Sequence, residues 1–174
     1  MAIRTSLLLA VMGLMLVATS GTALAQPVGH CAAGSCWGTP AGDIMIGTPD
    51  SNGRHGLGGD DLIRGLGGND SLTGDDGDDA VHGGSGNDRV EGNAGDDLVT
   101  GDPGADDVLG GWGDDRVVGG SGTDTLKGGS GGDRIEAQDG FADVISCGTG
   151  SRDLVFFDPG LDSVTADCEF RSSF

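Results

Sequence analysis

Basic residues are scarce in this chain of 174 residues, which has 9 Lys and Arg against 28 Asp and Glu and a formal net charge of −19. A surface this acidic repels phosphates and anionic lipid headgroups. Nucleic acid and anionic membranes are therefore excluded as expected partners. Apolar runs are also scarce. The one clear run, residues 7–17, falls short of the ~18–20 residues of a membrane span. We therefore expect no membrane insertion.

The N-terminal residues 1–25 have the pattern of a secretory signal peptide. Arg4 supplies a positive charge, residues 7–17 an apolar segment, and Ala23-Leu24-Ala25 a small-x-small cleavage site before Gln26. A membrane anchor is the alternative, which the short apolar run disfavours. We expect a secreted, extracellular protein.

Catalytic motifs are missing as well. No His-Glu-x-x-His occurs, and the three histidines, His30, His55 and His82, are expected on the solvated surface. Residues 128–132 match G-x-S-x-G, but they lie in glycine-rich turn sequence without the α/β context of a nucleophile elbow. We expect no enzymatic activity.

What the chain does have is a repeat of nine residues. Rows one to nine follow without a gap from Gly56 to Glu136, with Gly at the first and fourth positions, Asp at the sixth and Ile, Leu or Val at the eighth. A fixed nine-residue period indicates a repeat architecture, so the fold is inferred from the repeat before secondary structure is assigned residue by residue. The rows are GLGGDDLIR, GLGGNDSLT, GDDGDDAVH, GGSGNDRVE, GNAGDDLVT, GDPGADDVL, GGWGDDRVV, GGSGTDTLK and GGSGGDRIE.

Each row predicts one turn and one short strand. The glycine-rich first six positions favour a tight turn, and the last three, x-aliphatic-x, favour a minimal strand with one inward side chain. Such a unit cannot bury its aliphatic residue alone, so the rows are expected to wind into an all-β parallel coil with two rows in each turn.

This coil stacks the sixth-position carboxylates of alternate rows. Stacked strands lie roughly 4.8 Å apart, and two carboxylates at that distance repel by about 3.5 kcal/mol at an effective dielectric of about 20. A cation is therefore expected between them. Carboxylate and carbonyl oxygens without His or Cys favour Ca²⁺ over Mg²⁺ or Zn²⁺. The two predicted files are Asp61, Asp79, Asp97, Asp115 and Asp133, and Asp70, Asp88, Asp106 and Asp124.

The rows resemble the glycine-rich nonapeptide G-G-x-G-x-D-x-(aliphatic)-x of RTX-type (repeats-in-toxin) calcium-binding proteins, in a small exported form similar to those of actinobacteria. The resemblance implies a right-handed parallel β-roll (a β-helix solenoid) that binds roughly seven to ten Ca²⁺ between stacked turns. It also implies that the nine Asp bind metal together with turn carbonyls. The carbonyls so implied belong to Gly56, Gly58, Gly65, Gly67, Gly74 and Asp76.

The second position departs from Gly in five rows, which is expected to weaken the turn more than the metal site. The five residues are Leu57, Leu66, Asp75, Asn93 and Asp102.

Flanking segments continue the repeat in degenerate form. Residues 26–37 are a lead-in, and residues 38–55 are two capping rows. The first row keeps Asp43 as a candidate ligand and Met45 as a core residue. The second has Asn52 and Arg54 at these positions, so it is interpreted as having lost both ligand and core residue.

Residues 137–174 shift the frame twice and are expected to form a C-terminal cap. Asp143 and Asp153 are further candidate ligands, and Asp162 also falls at a ligand position. All five Phe lie here, at Phe141, Phe156, Phe157, Phe170 and Phe174, and are expected to close the end of the coil.

Four cysteines in an exported chain favour two disulfides. Sequence proximity suggests Cys31 with Cys36 and Cys147 with Cys168, although three pairings are possible. A zinc site made of His30, Cys31 and Cys36 is the alternative.

Without cation, the acidic repeat has the composition of a disordered linker. We therefore expect Ca²⁺ binding and folding to be one event in a monomeric protein. The alternatives are a calcium-stabilised adhesion or scaffold module that binds an unknown surface or matrix partner or polysaccharide, and a remnant of a toxin secretion module.

Overall fold

The computed structural model describes residues 29–30 and 34–172, which are built of strands joined by short turns. None of these residues forms a helix that could cross a lipid bilayer. The strands are β1 Gly29–His30, β2 Ser35–Trp37, β3 Ile44–Thr48, β4 Gly53–Gly58, β5 Leu62–Gly67, β6 Ser71–Asp76, β7 Ala80–Ser85, β8 Arg89–Ala94, β9 Leu98–Pro103, β10 Asp107–Trp112, β11 Arg116–Ser121, β12 Thr125–Gly131, β13 Arg134–Ala137, β14 Val144–Gly150, β15 Leu154–Phe157, β16 Ser163–Val164 and β17 Phe170–Ser172.

The strands form two parallel sheets that face each other. Odd-numbered strands make sheet 1, with nine strands, and even-numbered strands make sheet 2, with eight. Ile63 pairs with Val81 in sheet 1 and Leu72 with Val90 in sheet 2, so 18 residues complete one turn. The chain is therefore an all-β parallel solenoid of about seven turns, as the repeat predicts. The handedness of the coil stays a prediction.

The core is one file of side chains between the sheets. Each regular row contributes its eighth residue, and all nine are fully buried. Because side chains alternate along a strand, the seventh and ninth positions point outward. The nine are Ile63, Leu72, Val81, Val90, Val99, Val108, Val117, Leu126 and Ile135.

The strands are longer than the sequence predicts. A typical strand such as β8 has six residues and includes the first three positions of the following row, so the turn keeps only positions four to six. Glycine at the first position accepts an extended backbone, which allows the strand to continue. The fourth position carries the left-handed backbone in every regular row except at Gly104, as at Gly95 with φ of 140°. The second position does so too, and there Leu57 and Leu66 adopt φ of 81° and 82°.

Near the C-terminus the register lengthens. Thr125 pairs with Val144, and Arg134 pairs with Leu154. The predicted bridge between Cys147 and Cys168 is present, with a Cα–Cα distance of 5.1 Å. It ties the last turns to the core, because both cysteines are buried.

The expectation that the Phe residues close this end is only partly correct. Phe157 packs against the core, whereas Phe141 is 52% exposed. Phe156 lies on the outer face of sheet 1, where the Arg134 guanidinium sits 4.4 Å from its ring centroid. Phe156 occupies the place of the ninth residue of a row, and side chains at that place point outward.

Several predicted features lie outside the described residues. These are the signal peptide at residues 1–25, most of the lead-in at residues 26–37, Cys31 and Phe174. Cys36 is disulfide-bonded, so it is not a zinc ligand and the zinc alternative is wrong.

Candidate metal centre

Sixth-position residues line both edges of the solenoid, each one directly before a strand. Alternate rows stack on the same edge, as the repeat predicts. Ladder 1 is Asp43, Asp61, Asp79, Asp97, Asp115, Asp133 and Asp153. Ladder 2 is Asn52, Asp70, Asp88, Asp106, Asp124, Asp143 and Asp162.

Each ladder is held by a repeated hydrogen bond that runs in one direction. The backbone amide of Asp79 donates to Oδ1 of Asp97 at 2.8 Å, and the amide of Asp97 donates to Oδ1 of Asp115 at 2.9 Å. The same bond recurs along both ladders at 2.6–3.0 Å. It fixes the rotamer of each carboxylate and satisfies one of its two oxygens.

The second oxygen of these carboxylates, Oδ2, is buried without a hydrogen-bond partner within the described part of the chain. A buried charged oxygen left without a partner is strongly unfavourable. Ten residues share this condition, five on each ladder. They are Asp61, Asp79, Asp97, Asp115 and Asp133 on ladder 1, and Asp70, Asp88, Asp106, Asp124 and Asp143 on ladder 2.

These bare oxygens point into small cradles over the first-position glycines. A Cβ on Gly92 would lie 2.2 Å from Oδ2 of Asp97 and 2.7 Å from the carbonyl oxygen of Gly110. A Cβ on Gly56 would likewise lie 2.0 Å from Oδ2 of Asp61 and 2.3 Å from the carbonyl oxygen of Gly74. In the regular rows other than those that begin at Gly74 and Gly119, the cradle therefore brings together a carboxylate oxygen and a main-chain carbonyl oxygen. The first-position Gly is required by this lack of space, because its own φ is not in the left-handed region.

Burial and mutual repulsion make these carboxylates hard to ionise. Burial is the main cause that raises the pKa of Asp79, Asp106, Asp115 and Asp143 to about 7, with neighbouring carboxylates adding to it and the ladder amide opposing it. The same causes raise the pKa of Asp61, Asp97 and Asp133 to about 6. The pKa values of Asp70, Asp88 and Asp124 are also raised, mainly by burial. A cation beside Oδ2 would reverse this effect.

The oxygen set fits a hard cation. Within residues 34–172, no three His, Cys, Asp or Glu side chains converge as a metal centre made of side chains would require. A cation between two ladder residues would therefore take two carboxylates and complete its shell with main-chain carbonyl or water oxygens. Ca²⁺ accepts such mixed oxygen ligands in flexible geometry.

The six predicted carbonyl ligands lie in different environments. The Gly56, Gly65 and Gly74 carbonyl oxygens lie 2.3, 2.1 and 2.3 Å from where a Cβ on the first-position glycine of the preceding turn would be. The carbonyl of Asp76 accepts the Gly59 amide at 2.8 Å and keeps one lone pair. Gly58 and Gly67 lie at the third position, at the ends of β4 and β5.

The outermost predicted carboxylates, Asp43 and Asp153, lack the buried Oδ2 without a partner that the ten ladder Asp residues have. Asp43 is half-buried, and its Oδ2 accepts the amide and the hydroxyl of Thr39. Asp153 is buried and holds the amide of Asp133.

A second, exposed ladder was not predicted from the sequence. On the side of ladder 1, the amides of Asp78 and Asp96 donate to Oδ1 of Asp60 and Asp78 at 3.2 and 2.9 Å, opposite in direction to the inner ladder. On the side of ladder 2, Asn69 and Asn87 take this place. The signal was present at the fifth position, where Asp recurs in one set of alternate rows and Asn, Ala or Thr occurs in the other.

The comparison with protein families bears directly on this arrangement. The family model of the RTX calcium-binding nonapeptide repeat (four copies) matches residues 55–90, 82–117 and 118–140. Residues 55–140 of this β-solenoid are RTX calcium-binding repeats. No curated protein and no solved structure matches the chain.

Calcium binding is the biochemical property of these RTX repeats, and the stacked Asp ladders are consistent with Ca²⁺ binding between turns. No catalytic domain is identified by the family comparison. The G-x-S-x-G match lies at the end of β12, where Ser130 Oγ is 2.9 Å from Thr149 Oγ1 on the exposed surface of sheet 2. That environment is a strand surface, unlike the strand-to-helix turn of a nucleophile elbow.

Proposed function

We propose that this chain is an exported, non-enzymatic RTX protein that binds about eight Ca²⁺ between successive carboxylates of ladders 1 and 2. The single observation that carries the proposal is the set of ten buried Oδ2 atoms without partners, five on each ladder. Five carboxylates in file leave four intervals, and each interval has a bare oxygen on both sides.

The carbonyl oxygens that complete each site come from first- and third-position residues. Gly56, Gly65 and Gly74 belong to this set, and Gly58, Gly67 and Asp76 contribute from the third position. Asp43 and Asp153 are the outermost carboxylates of ladder 1, and an ion beside either one would be bound more weakly and is not counted among the eight, because their Oδ2 atoms are not among the buried oxygens left bare.

Calcium binding and folding are one event in this proposal. Each regular row buries a single aliphatic side chain, so the stabilisation from apolar burial is small compared with the cost of burying a ladder of charged carboxylates. Ca²⁺ neutralises the ladders only when the turns are stacked, so the metal binds the folded chain and not the unfolded one. The expected affinity is that of extracellular modules, on the order of 10⁻⁴–10⁻³ M.

Equilibrium dialysis of the purified secreted chain tests the proposed sites. Bound calcium, counted by atomic emission against protein concentration, is expected to saturate at about eight ions per chain. Equimolar Mg²⁺ is expected to displace few of them, because Mg²⁺ demands a tighter octahedral shell. Saturation at one or two ions would contradict the ladder sites.

Export is supported by the N-terminal pattern and by the Cys147–Cys168 bridge, which suits an oxidising compartment. In this proposal the chain divides into a signal peptide at residues 1–25, a lead-in at 26–37, two capping rows at 38–55, the regular repeats at 56–136 and a C-terminal cap at 137–174. Expression of the full chain with its own leader is expected to release a monomer that begins at Gln26. Retention in the cytoplasm with an intact N-terminus would overturn the export proposal.

A calcium-stabilised scaffold for a surface or matrix partner is the second candidate, favoured by exposed aromatic rings. Trp112 is 70% exposed, and Trp37 stacks on His55 with ring centroids 4.2 Å apart. Such rings are common contacts for sugars and proteins. Co-sedimentation with insoluble polysaccharide in Ca²⁺, lost in Trp112→Ala and kept in Phe141→Ala, would support this role, and equal sedimentation of both variants would oppose it.

A further inference from the structure

A charged side chain lies in the core at the N-terminal end of the solenoid. Arg54 occupies the eighth position of the capping row at residues 47–55, where every regular row has an aliphatic residue. It pairs with Cys36 on one side and Leu72 on the other, and it is fully buried. Its side chain is the largest of those fully buried in the described residues.

The guanidinium of Arg54 binds oxygens at the end of ladder 2. Its Nη1 donates to the carbonyl oxygens of Gly34 and Gly53, at 2.8 and 3.0 Å. Its Nη2 donates to Oδ1 of Asn52 at 3.1 Å. Asn52 is the first member of ladder 2, and its backbone amide donates to Oδ1 of Asp70 at 2.6 Å.

The oxygen that Arg54 contacts is equivalent to the bare Oδ2 atoms of the later rows. A Cβ on Gly47 would lie 2.4 Å from Oδ1 of Asn52 and 2.1 Å from the carbonyl oxygen of Gly65. The same two kinds of oxygen, one from the sixth position and one carbonyl, define the cradles of seven of the nine regular rows. In ten later rows the side-chain oxygen has no partner, whereas in this row it accepts the Thr48 amide at 2.7 Å and a cationic donor, Nη2 of Arg54, at 3.1 Å.

We propose that Arg54 is an internal cation that replaces Ca²⁺ at the first interval of ladder 2, between Asn52 and Asp70, and so ends the calcium file there. This inference rests on the proposed calcium sites. Arg stays protonated in proteins, so its charge is permanent and independent of the calcium concentration. The neutral Asn52 accepts the guanidinium hydrogen bond without adding a further negative charge. The positive charge of Arg54 also acts on Asp70, where it opposes the rise in pKa that burial causes.

Ladder 1 provides the natural comparison. Its first row keeps the consensus, with Asp43 at the sixth position and the apolar Met45, 2% exposed, at the eighth. Here Thr39 supplies neutral donors to Asp43, as Thr48 does to Asn52, but the core residue of this row is the apolar Met45 in place of an arginine. The two ladders therefore begin differently, one with a carboxylate and one with an amide backed by a guanidinium.

Two variants test the proposal by counting bound calcium in the purified secreted chain. Asn52→Asp/Arg54→Leu restores the consensus row and is expected to bind one more Ca²⁺ than the wild type at saturation. Asn52→Asp alone is expected to bind the wild-type number, because the new carboxylate pairs with Arg54. Met45→Leu on ladder 1 is the matched control and is also expected to keep the wild-type number.

The outcomes separate this inference from the proposed function. If the wild type binds no calcium, the ladder sites themselves are wrong. If the wild type binds calcium and the single Asn52→Asp variant gains an ion, Arg54 does not occupy the interval and the inference is overturned. An unchanged count in the double variant overturns it as well. If the double variant does not fold, the single variant still decides, since its buried arginine and core are intact.

Discussion

The backbone amide of Asp61 donates to Oδ1 of Asp79 at 2.7 Å, across one full turn of the solenoid. This bond sets the orientation of the Asp79 carboxylate and leaves its Oδ2 buried and without a partner. One structural hydrogen bond per turn thus produces one oxygen per turn that needs a cation. Because the bond repeats along both edges, the metal sites follow from the fold itself.

The charge of a central ladder carboxylate is expected to be essential for calcium. Asp97→Asn keeps an oxygen to accept the Asp79 amide but removes the charge that two intervals share. We expect two fewer ions and a rise of at least about tenfold in the calcium midpoint of folding, equal to about 1.4 kcal/mol. Asp107→Asn is the control, because Asp107 lies on the outer face of sheet 2, away from the ladders, and pairs with Arg89 and Lys127. Equal losses in both variants would mean that net charge alone matters.

Protons are expected to substitute partly for calcium. The pKa of Asp79, Asp106 and Asp115 in the metal-free fold is raised to about 7 from an ordinary value of 3.8. The folded chain then binds more protons than the unfolded chain between these values, so metal-free stability is greatest at low pH and decreases as the pH rises through about 7.

Circular dichroism of the calcium-depleted chain checks this sign. The β signal is expected to increase from pH 8 to pH 5 without metal, and the calcium midpoint is expected to rise over the same range because protons compete for the ladders. A metal-free chain that is equally unfolded at both pH values would oppose this account of the ladders.

First-position glycines are expected to be irreplaceable for steric reasons. Gly92→Ala places a methyl group 2.2 Å from Oδ2 of Asp97, so the carboxylate or the turn must move. Overpacking of this kind costs about 1–3 kcal/mol. Gly58→Ala is the control, because its Cβ would meet its nearest atom at an ordinary 3.6 Å. Urea unfolding in saturating calcium measures both, and similar stabilities would refute the cradle geometry.

The left-handed leucines offer a route to a more stable protein. Leu66 adopts φ of 82° and is 47% exposed, a conformation that branched and bulky side chains rarely adopt. Leu66→Asn is expected to stabilise the calcium-loaded fold by about 0.5–1 kcal/mol, since Asn tolerates this region. Leu161→Asn is the control, because Leu161 is similarly exposed without a positive φ. An equal effect in both would attribute any gain to polarity alone.

The phase of the repeat was enough to predict the coil and its ladders. Two rows per turn places Asp61 over Asp79 and Asp70 over Asp88, and the hydrogen bonds of both ladders confirm this pairing. The strict eighth position likewise identifies the core file. Periodicity carries this information because each row occupies the same place in every turn.

Two features depend on atomic detail that periodicity does not contain, whereas a third, the placement of Phe156, does not. The sequence interpretation of Arg54 as a lost core residue missed its burial, which is possible because carbonyls at the open end of the coil accept its hydrogen bonds. The role of Gly92 follows from the position of a carboxylate oxygen, which no propensity describes. Phe156 could have been placed outside, since the ninth position alternates away from the core.

The central claim is that calcium and folding are inseparable, and far-UV circular dichroism of residues 26–174 during a calcium titration after chelation tests it most directly. At pH 8, above the raised pKa of the ladder carboxylates, we expect a coil spectrum in chelator and a cooperative change to a β spectrum with Ca²⁺ but not with Mg²⁺. A folded spectrum in chelator that Ca²⁺ leaves unchanged would contradict the account, because the core and the disulfides would then hold the solenoid against its own charges.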